Sequence, residues 1–457
     1  MRRFVWLALF TGVPAIGAAQ GFGLYELGPC GMGRAGVAAA KPCPDASAIF
    51  FNPAGLAGLS DNHLSGGLTV VQAVGSFTDD TRALTTNLAN PPIPVPNLYF
   101  SHALTPEATV GLGVYAPYGL ETHWPTTFDG RFLGYVSKIR SIYVQPTLAY
   151  QLHERVKLGV GVAYIHSSIE LNQRVDLSSQ PVPGAPVGTT FYNLGIKFGT
   201  DIADAQLSAS GNGYAVNVGA IIDLTDRLSI GGHWLTRKTI PFEGTAAFTR
   251  ITTNLVLPPG HPITLPPLCT PATPCPVDNL VAAQFIPGGP FTSGGVNTEI
   301  TLPSQGSVGF SYEVTNRWTV MADYQYVVWG WFYELPVNFD NATTPDFILY
   351  EGYKDTHGIR IGVEHRPSID FVIRAGFLHH TGAAPPETVT PLLPEGARNE
   401  FTVGFQGRMS RKLRTDFAYQ FIKQNDRRGR VHDATIGNTG LYKFSGHLVS
   451  IGLSLTF

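Results

Sequence analysis

The chain ends Leu448-Val-Ser-Ile-Gly-Leu-Ser-Leu-Thr-Phe457. In an extended strand successive side chains point to opposite faces. Val449, Ile451, Leu453, Leu455 and Phe457 therefore share one apolar face. Ser450, Gly452, Ser454 and Thr456 share a small, polar one, which only Leu448 interrupts. A final strand that greases one face and ends on an aromatic residue fits the wall of an outer-membrane β-barrel, with lipid outside and a lumen within.

The start of the chain fits export. Arg2 and Arg3 precede the apolar stretch Phe4 to Ile16, and Gly17-Ala18-Ala19 offers small residues for cleavage. Residues 1–19 read as a signal peptide rather than a retained anchor, because the apolar stretch is short and Pro14 interrupts it. No later stretch supplies the roughly 18 apolar residues of a spanning helix. A closed barrel is then the one way across, since hydrocarbon satisfies no backbone groups.

Composition agrees. Of 457 residues, 44% are hydrophobic and only 14% charged, while 51 Gly and 35 Pro disfavour helices. Lys plus Arg total 31 against 33 Asp plus Glu, which gives no electrostatic case for nucleic acid.

From about residue 63 the sequence repeats one unit, an alternating run followed by a break. Val156, Leu158, Val160, Val162 and Tyr164 oppose Lys157, Gly159, Gly161 and Ala163. Ile359, Ile361 and Val363 oppose Arg360 and Glu364; Phe371, Ile373 and Phe377 oppose Arg374; Phe417 and Tyr419 oppose Asp416. A soluble β-sandwich would not place charge repeatedly on its enclosed face. Short breaks fall at 104–108, 152–155, 223–227, 313–317, 365–369 and 408–412, long ones at 77–94, 121–135, 172–210, 241–295, 332–352, 382–397 and 425–443. They alternate, as periplasmic turns and external loops do, and join fourteen strands. The expected fold is an all-β, 14-stranded antiparallel transmembrane barrel over 63–457. A lumen that wide needs filling. Residues 20–62 are Gly-rich, apolar and non-alternating, and their place is inside it as a small N-terminal hatch.

Four cysteines form two close pairs, Cys30 with Cys43 and Cys269 with Cys275. In an exported protein such pairs read as disulfides before metal ligands.

Several stretches carry a resemblance. Gly21-Phe22-x-Leu24, Gly31-Met32-Gly33-Arg34-Ala35 and Asn52-Pro53-Ala54 look like the hatch of the FadL-type transporters of long-chain fatty acids and hydrophobic compounds, which include TodX-like proteins. Val110 to Leu120, with Ala116-Pro117-Tyr118-Gly119 at its end, looks like that family's third strand. Gln145-Pro146-x-Leu148-Ala149-Tyr150 resembles its fourth, and Tyr353-Lys354-Asp355-Thr356 leads into a strand similar to its tenth. The resemblance implies capture by external loops, a pocket at the hatch N-terminus touched by Phe22 and Leu24, and lateral exit at a kink in strand three. Pro117, without an N–H, and Gly119, without a side chain, weaken the ladder there on their own account, although a proline can also simply end a strand. The external loops 172–210 and 241–295 carry apolar residues among their prolines; they either frame a ligand groove or cover one another.

Gly31-x-Gly33-x-x-Gly36 matches a dinucleotide fingerprint but lacks the strand before it and the helix after it. His379 and His380 point to opposite faces of a strand. No Gly-x-Ser-x-Gly or His-Glu-x-x-His occurs, so no enzyme, metal or cofactor is expected. Asp323, Arg360, Glu364, Arg374, Arg414 and Asp416 read as a lumen charge network holding the hatch. Lys138 and Arg140, at the outer end of strand four, are candidates for a ligand head group or for lipopolysaccharide. The expected partners are a hydrophobic small molecule and outer-membrane lipid, and the expected state is a monomer. The rival readings are a general diffusion porin and a structural or adhesive barrel.

Overall fold

In the final strand Val449, Ile451, Leu453 and Leu455 are 44, 54, 54 and 36% exposed, whereas Leu448, Ser450 and Ser454 are buried. The same two-sidedness runs round the molecule and defines its wall. The computed structural model describes residues 21–25, 27–261, 270, 272–431 and 439–457. Residues 1–19, read as a signal peptide, lie outside them.

The strands β1 (Asn62–Asp79), β2 (Ile93–Ala103), β3 (Ala108–His123), β4 (Val136–His153), β5 (Val156–Val175) and β6 (Ala203–Asp223) follow one another. Three strands are each broken once: β7 (Leu228–Leu235, Lys238–Arg250), β8 (Gly294–Leu302, Gln305–Thr315) and β9 (Trp318–Val327, Glu334–Phe339). The wall is completed by β10 (Thr356–Ser368), β11 (Phe371–His380), β12 (Arg398–Arg408), β13 (Leu413–Gln424) and β14 (Gly440–Thr456). Together they make a closed 14-stranded antiparallel barrel. β14 pairs with β1 from Thr456 opposite His63 to Gly440 opposite Asp79, so the sheet has no free edge.

Four of the tight turns are closed alike. The hydroxyl of Thr105, Thr225, Thr315 or Ser410 accepts two backbone N–H groups two and three residues on, which turns the chain at little cost. The strands are longer than the sequence breaks suggest. β6 begins at Ala203 and β7 runs on to Arg250. Pro241 and Gly244 look like loop residues, yet they sit in the β7–β8 ladder opposite Glu299 and Val296.

The outward face lies in lipid, so a charge there has no partner. Ile451→Arg is expected to destabilise the barrel by about 2–4 kcal/mol, measured by reversible unfolding from lipid vesicles. A cost of only a few tenths would place this face in water.

The chain before β1 packs against the inward side chains of the wall. Gly33 meets Gly404 of β12 backbone to backbone: a Cβ on Gly33 would lie 2.9 Å from the Gly404 Cα. On the other side the Asn52 amide donates to Ala220 O of β6 and Gly232 O of β7, at 3.1 and 3.2 Å. It also accepts from Ala54 N, starting the 3₁₀ turn Pro53–Gly58. Pro53 opens that turn where its missing N–H is not needed. A disulfide joins Cys30 and Cys43, with Cα atoms 6.3 Å apart. Cys269 lies outside the described residues.

Candidate functional site

The β2–β3 seam comes apart halfway up the wall. The ladder between them runs from Ala103 opposite Thr109 to Leu98 opposite Val114 and stops there. β2 continues beyond this point paired only with β1, up to Ile93 opposite Val71. The residues responsible are prolines. The β1 ladder runs through Pro94 and Pro96 without interruption, so the N–H groups they lack are those that would face β3. On the other side of the seam, β3 pairs with β4 at Tyr115 opposite Tyr143 and next at Tyr118 opposite Ser141, skipping Ala116 and Pro117. This bulge bends β3 away from β2. The seam closes again only near the top, where the Asn90 side-chain Oδ1 accepts from His123 N at 2.7 Å and Ala89 N donates to His123 O at 2.7 Å.

The N-terminal residues occupy the inner side of the bulge. Leu24 N donates to Pro117 O at 2.8 Å, and Gly119 N donates to Phe22 O at 2.9 Å. Gly23 and Tyr118 thus form an antiparallel bridge, and the backbone groups loosened by the kink are satisfied. Gly119 has room for this: a Cβ would sit 3.1 Å from Leu24 Cδ1. Phe22 packs edge-on against Trp329 and Phe332, with centroids 4.7 and 5.4 Å away. Gly21, at φ +59°, lies where a Cβ would be 2.5 Å from the Trp329 ring. Tyr118 crosses the lumen and donates to Pro303 O, at the break in β8, at 2.7 Å. Gly21 N donates to Glu395 Oε1 at 2.7 Å, tying the segment to the loop between β11 and β12. Burial pushes the Glu395 carboxyl above its usual range, and the N–H groups of Gly21, Ala384 and Ala383 pull against that.

A cavity of about 450 Å³ opens at this junction, a size suited to a small ligand. Inward residues such as Phe22, Leu24 and Leu393 line it, and so do Val114 and Ile142, whose side chains are exposed on the outer face of the wall. Leu448, the interruption in the terminal strand's polar face, is buried and also lines it.

Other residues singled out in the sequence lie below or beside the cavity. The Arg374 guanidinium bridges Glu364 Oε2 at 3.0 Å and Asp416 Oδ1 at 2.7 Å, and Arg34 approaches Glu364 at 3.9 Å. Asp323 accepts from Ala38 N and Ala39 N at 2.8 and 3.0 Å. Arg360 bonds Gln325 and lies 4.5 Å over the Tyr25 ring. Arg414 stands apart from these carboxylates and donates to Pro44 O at 2.9 Å. Lys138 pairs with Glu170 at 3.2 Å. Arg140 pairs with Glu121 at 3.1 Å and borders the cavity. Cys30 and Cys43 lie close to Asp45, but their sulfurs are joined to each other and cannot ligate a metal as thiolates. The external loops share an apolar cluster of Phe191, Leu194, Leu257 and Val281, so to that extent they cover one another.

The sequence profile of the family described as outer membrane protein transport protein (OMPP1/FadL/TodX) matches residues 11–457. The chain belongs to this family. It is 20% identical to outer membrane protein P1 of Haemophilus influenzae, over 96% of this chain and 95% of that protein. It is 22% identical to the long-chain fatty acid transport protein of Escherichia coli K12, over 84% of each. Among solved structures it superimposes on a Pseudomonas aeruginosa FadL homologue with a TM-score of 0.79 and 17% identity, covering 96% of this chain and 100% of the other. The toluene transporter TodX of Pseudomonas putida gives a TM-score of 0.72 at 17% identity, covering 95 and 99%. This FadL/TodX-family member is thus an outer-membrane transport protein and not an enzyme.

Proline residues 94 and 96 and Glu395 were not identified from the sequence. Pro94-x-Pro96 in an alternating run is a readable signal of one unpaired strand edge. Glu395 carries none, because its partner is 374 residues away.

Proposed function

We propose that this protein carries small hydrophobic molecules passively across the outer membrane and releases them sideways, through the β2–β3 seam, into the bilayer. The observation behind this reading is the apolar cavity at the kink, bordered by lumen-facing and lipid-facing side chains at once. A hydrophobic molecule gains about 0.8 kcal/mol per CH₂ on leaving water, so partitioning alone can drive the passage. In this reading residues 20–62 are the hatch. The part from Gly28 onward is held to the wall and blocks the straight path, while Gly21 to Tyr25 gate the seam. Ala116, Pro117, Tyr118 and Gly119 form the exit, and Phe22 and Leu24 touch the ligand. The names of relatives, a long-chain fatty acid transport protein and a toluene transporter, suggest the range of cargo. Barrel closure is complete within one chain, which suits a monomer surrounded by lipid and lipopolysaccharide.

The test is uptake in cells that lack their own channel for such compounds. Cells making this protein should accumulate a labelled hydrocarbon or fatty acid well above control cells. The purified protein should show no steady ion conductance in planar bilayers. Steady porin-like conductance without hydrophobic uptake would favour the diffusion porin instead.

A further inference from the structure

The charges at the cavity bear on which hydrophobic ligands it would take, which rests on the cavity being the ligand site, as proposed above. Four acidic or basic side chains border it: Glu121, Arg140, Glu395 and Arg398. Both cations are already matched. Arg140 lies 3.1 Å from Glu121, and Arg398 lies 2.6 Å from the buried carboxylate of Glu400. Glu395 is the charge left over. It is 4% exposed, and among the described residues no basic side chain comes within ion-pair distance of it. Its oxygens accept from Gly21 N at 2.7 Å, Ala383 N at 3.2 Å and Ala384 N at 2.9 Å. Arg427 acts on Glu395 only at longer range, and one of its guanidinium nitrogens donates to Ala384 O at 2.7 Å.

Donors aimed at Glu395 suit an acceptor carboxylate, and most of the remaining lining is apolar. An anionic head group placed here would find each cation already paired with a carboxylate and one acidic group facing it. Like charges close together in a water-poor site repel strongly. A neutral molecule meets no such barrier.

We propose that Glu395 is a specificity-determining residue that turns anionic amphiphiles away, so that the cavity takes uncharged apolar molecules such as hydrocarbons, esters or alcohols. The same carboxylate holds Gly21, and so sits where the ligand and the N-terminal residues meet.

The experiment compares equilibrium binding of methyl decanoate and of decanoate to the purified full chain in a non-ionic detergent at pH 8. The ester should bind at least about tenfold more tightly than the anion. Glu395→Gln should bring the ratio to within about threefold by strengthening decanoate binding, since it removes the charge alone. Glu395→Asp keeps the charge and should keep the discrimination, with heat-modifiable gel mobility confirming that both variants fold. Decanoate binding as tight as the ester in the unaltered protein overturns the charge rule and leaves hydrophobic transport standing. Unchanged discrimination in folded Glu395→Gln overturns the assignment to Glu395. Binding of neither ligand overturns both readings.

Discussion

Closing the β2–β3 seam should stop uptake while leaving the barrel folded. In the variant Pro94→Val, Pro96→Val, Pro117→Val, β2 regains the N–H groups it lacks toward β3, and β3 loses the fixed φ that favours its bulge. The side chains of Pro94 and Pro96 are exposed on the outer face, where valine is at home in both lipid and a strand. Two to three new ladder hydrogen bonds at about 1 kcal/mol each would hold the seam shut by about 2–3 kcal/mol. That is a loss of roughly 30- to 150-fold in the open population, and uptake by lateral exit should fall in proportion. Thermal stability should rise slightly. Uptake at the unaltered rate in a folded triple variant would mean that the cargo leaves by another route.

This prediction also marks what the sequence discloses and what it withholds. Ile359, Ile361, Phe417 and Ile451 are exposed on the outer face, while Arg360, Arg374 and Asp416 are buried within, and each pattern follows from period-two alternation in the chain itself. The weak point in β3 is local too, since Pro117 carries its consequence wherever it lies in a strand. The breaks in β7, β8 and β9 are less legible. They are set by how neighbouring strands meet: Arg237 N, for example, donates to Ser304 Oγ at 3.0 Å across the β7–β8 seam. Glu395 was invisible for the same reason. A glutamate among prolines and glycines in an external loop looks solvated, and its burial depends on Gly21 arriving from elsewhere and on the loop folding back to bring Ala384 to it. Arg414 reads as a member of the charge network because it alternates with Asp416, yet it lies nearer the strand's start, where it meets Pro44 O instead.

The second large effect concerns the anchor of the N-terminal segment, the proposed hatch. Arg374 is 1% exposed and joins Glu364 of β10 to Asp416 of β13, with Gln406 donating to Asp416 at 3.0 Å. Arg34, from the N-terminal segment, completes the cluster from inside and donates to Lys41 O at 2.7 Å. Arg374→Ala would leave two buried carboxylates without their shared cation, with only Arg34 and the half-exposed Arg366 near Glu364. Removing one partner of a buried ion pair costs about 3–5 kcal/mol, because the charge left behind is uncompensated. The wall does not depend on this cluster for its ladder: β10–β11 and β11–β12 pairing continues on either side through Val363 opposite Ala375 and Val403 opposite Ala375. The cost therefore falls on the packing of the segment against β10–β13, while its other side stays tied through Asn52 to β6 and β7. Discrete ion conductance should appear in planar bilayers, and cells should become more sensitive to hydrophilic antibiotics than cells making the unaltered protein. Arg374→Lys, which keeps the charge but not the two-sided geometry, should fall between the two. Arg374→Ala with neither conductance nor loss of stability would show that the N-terminal segment is held chiefly by Asn52 and the backbone contacts at Gly33 and Gly404.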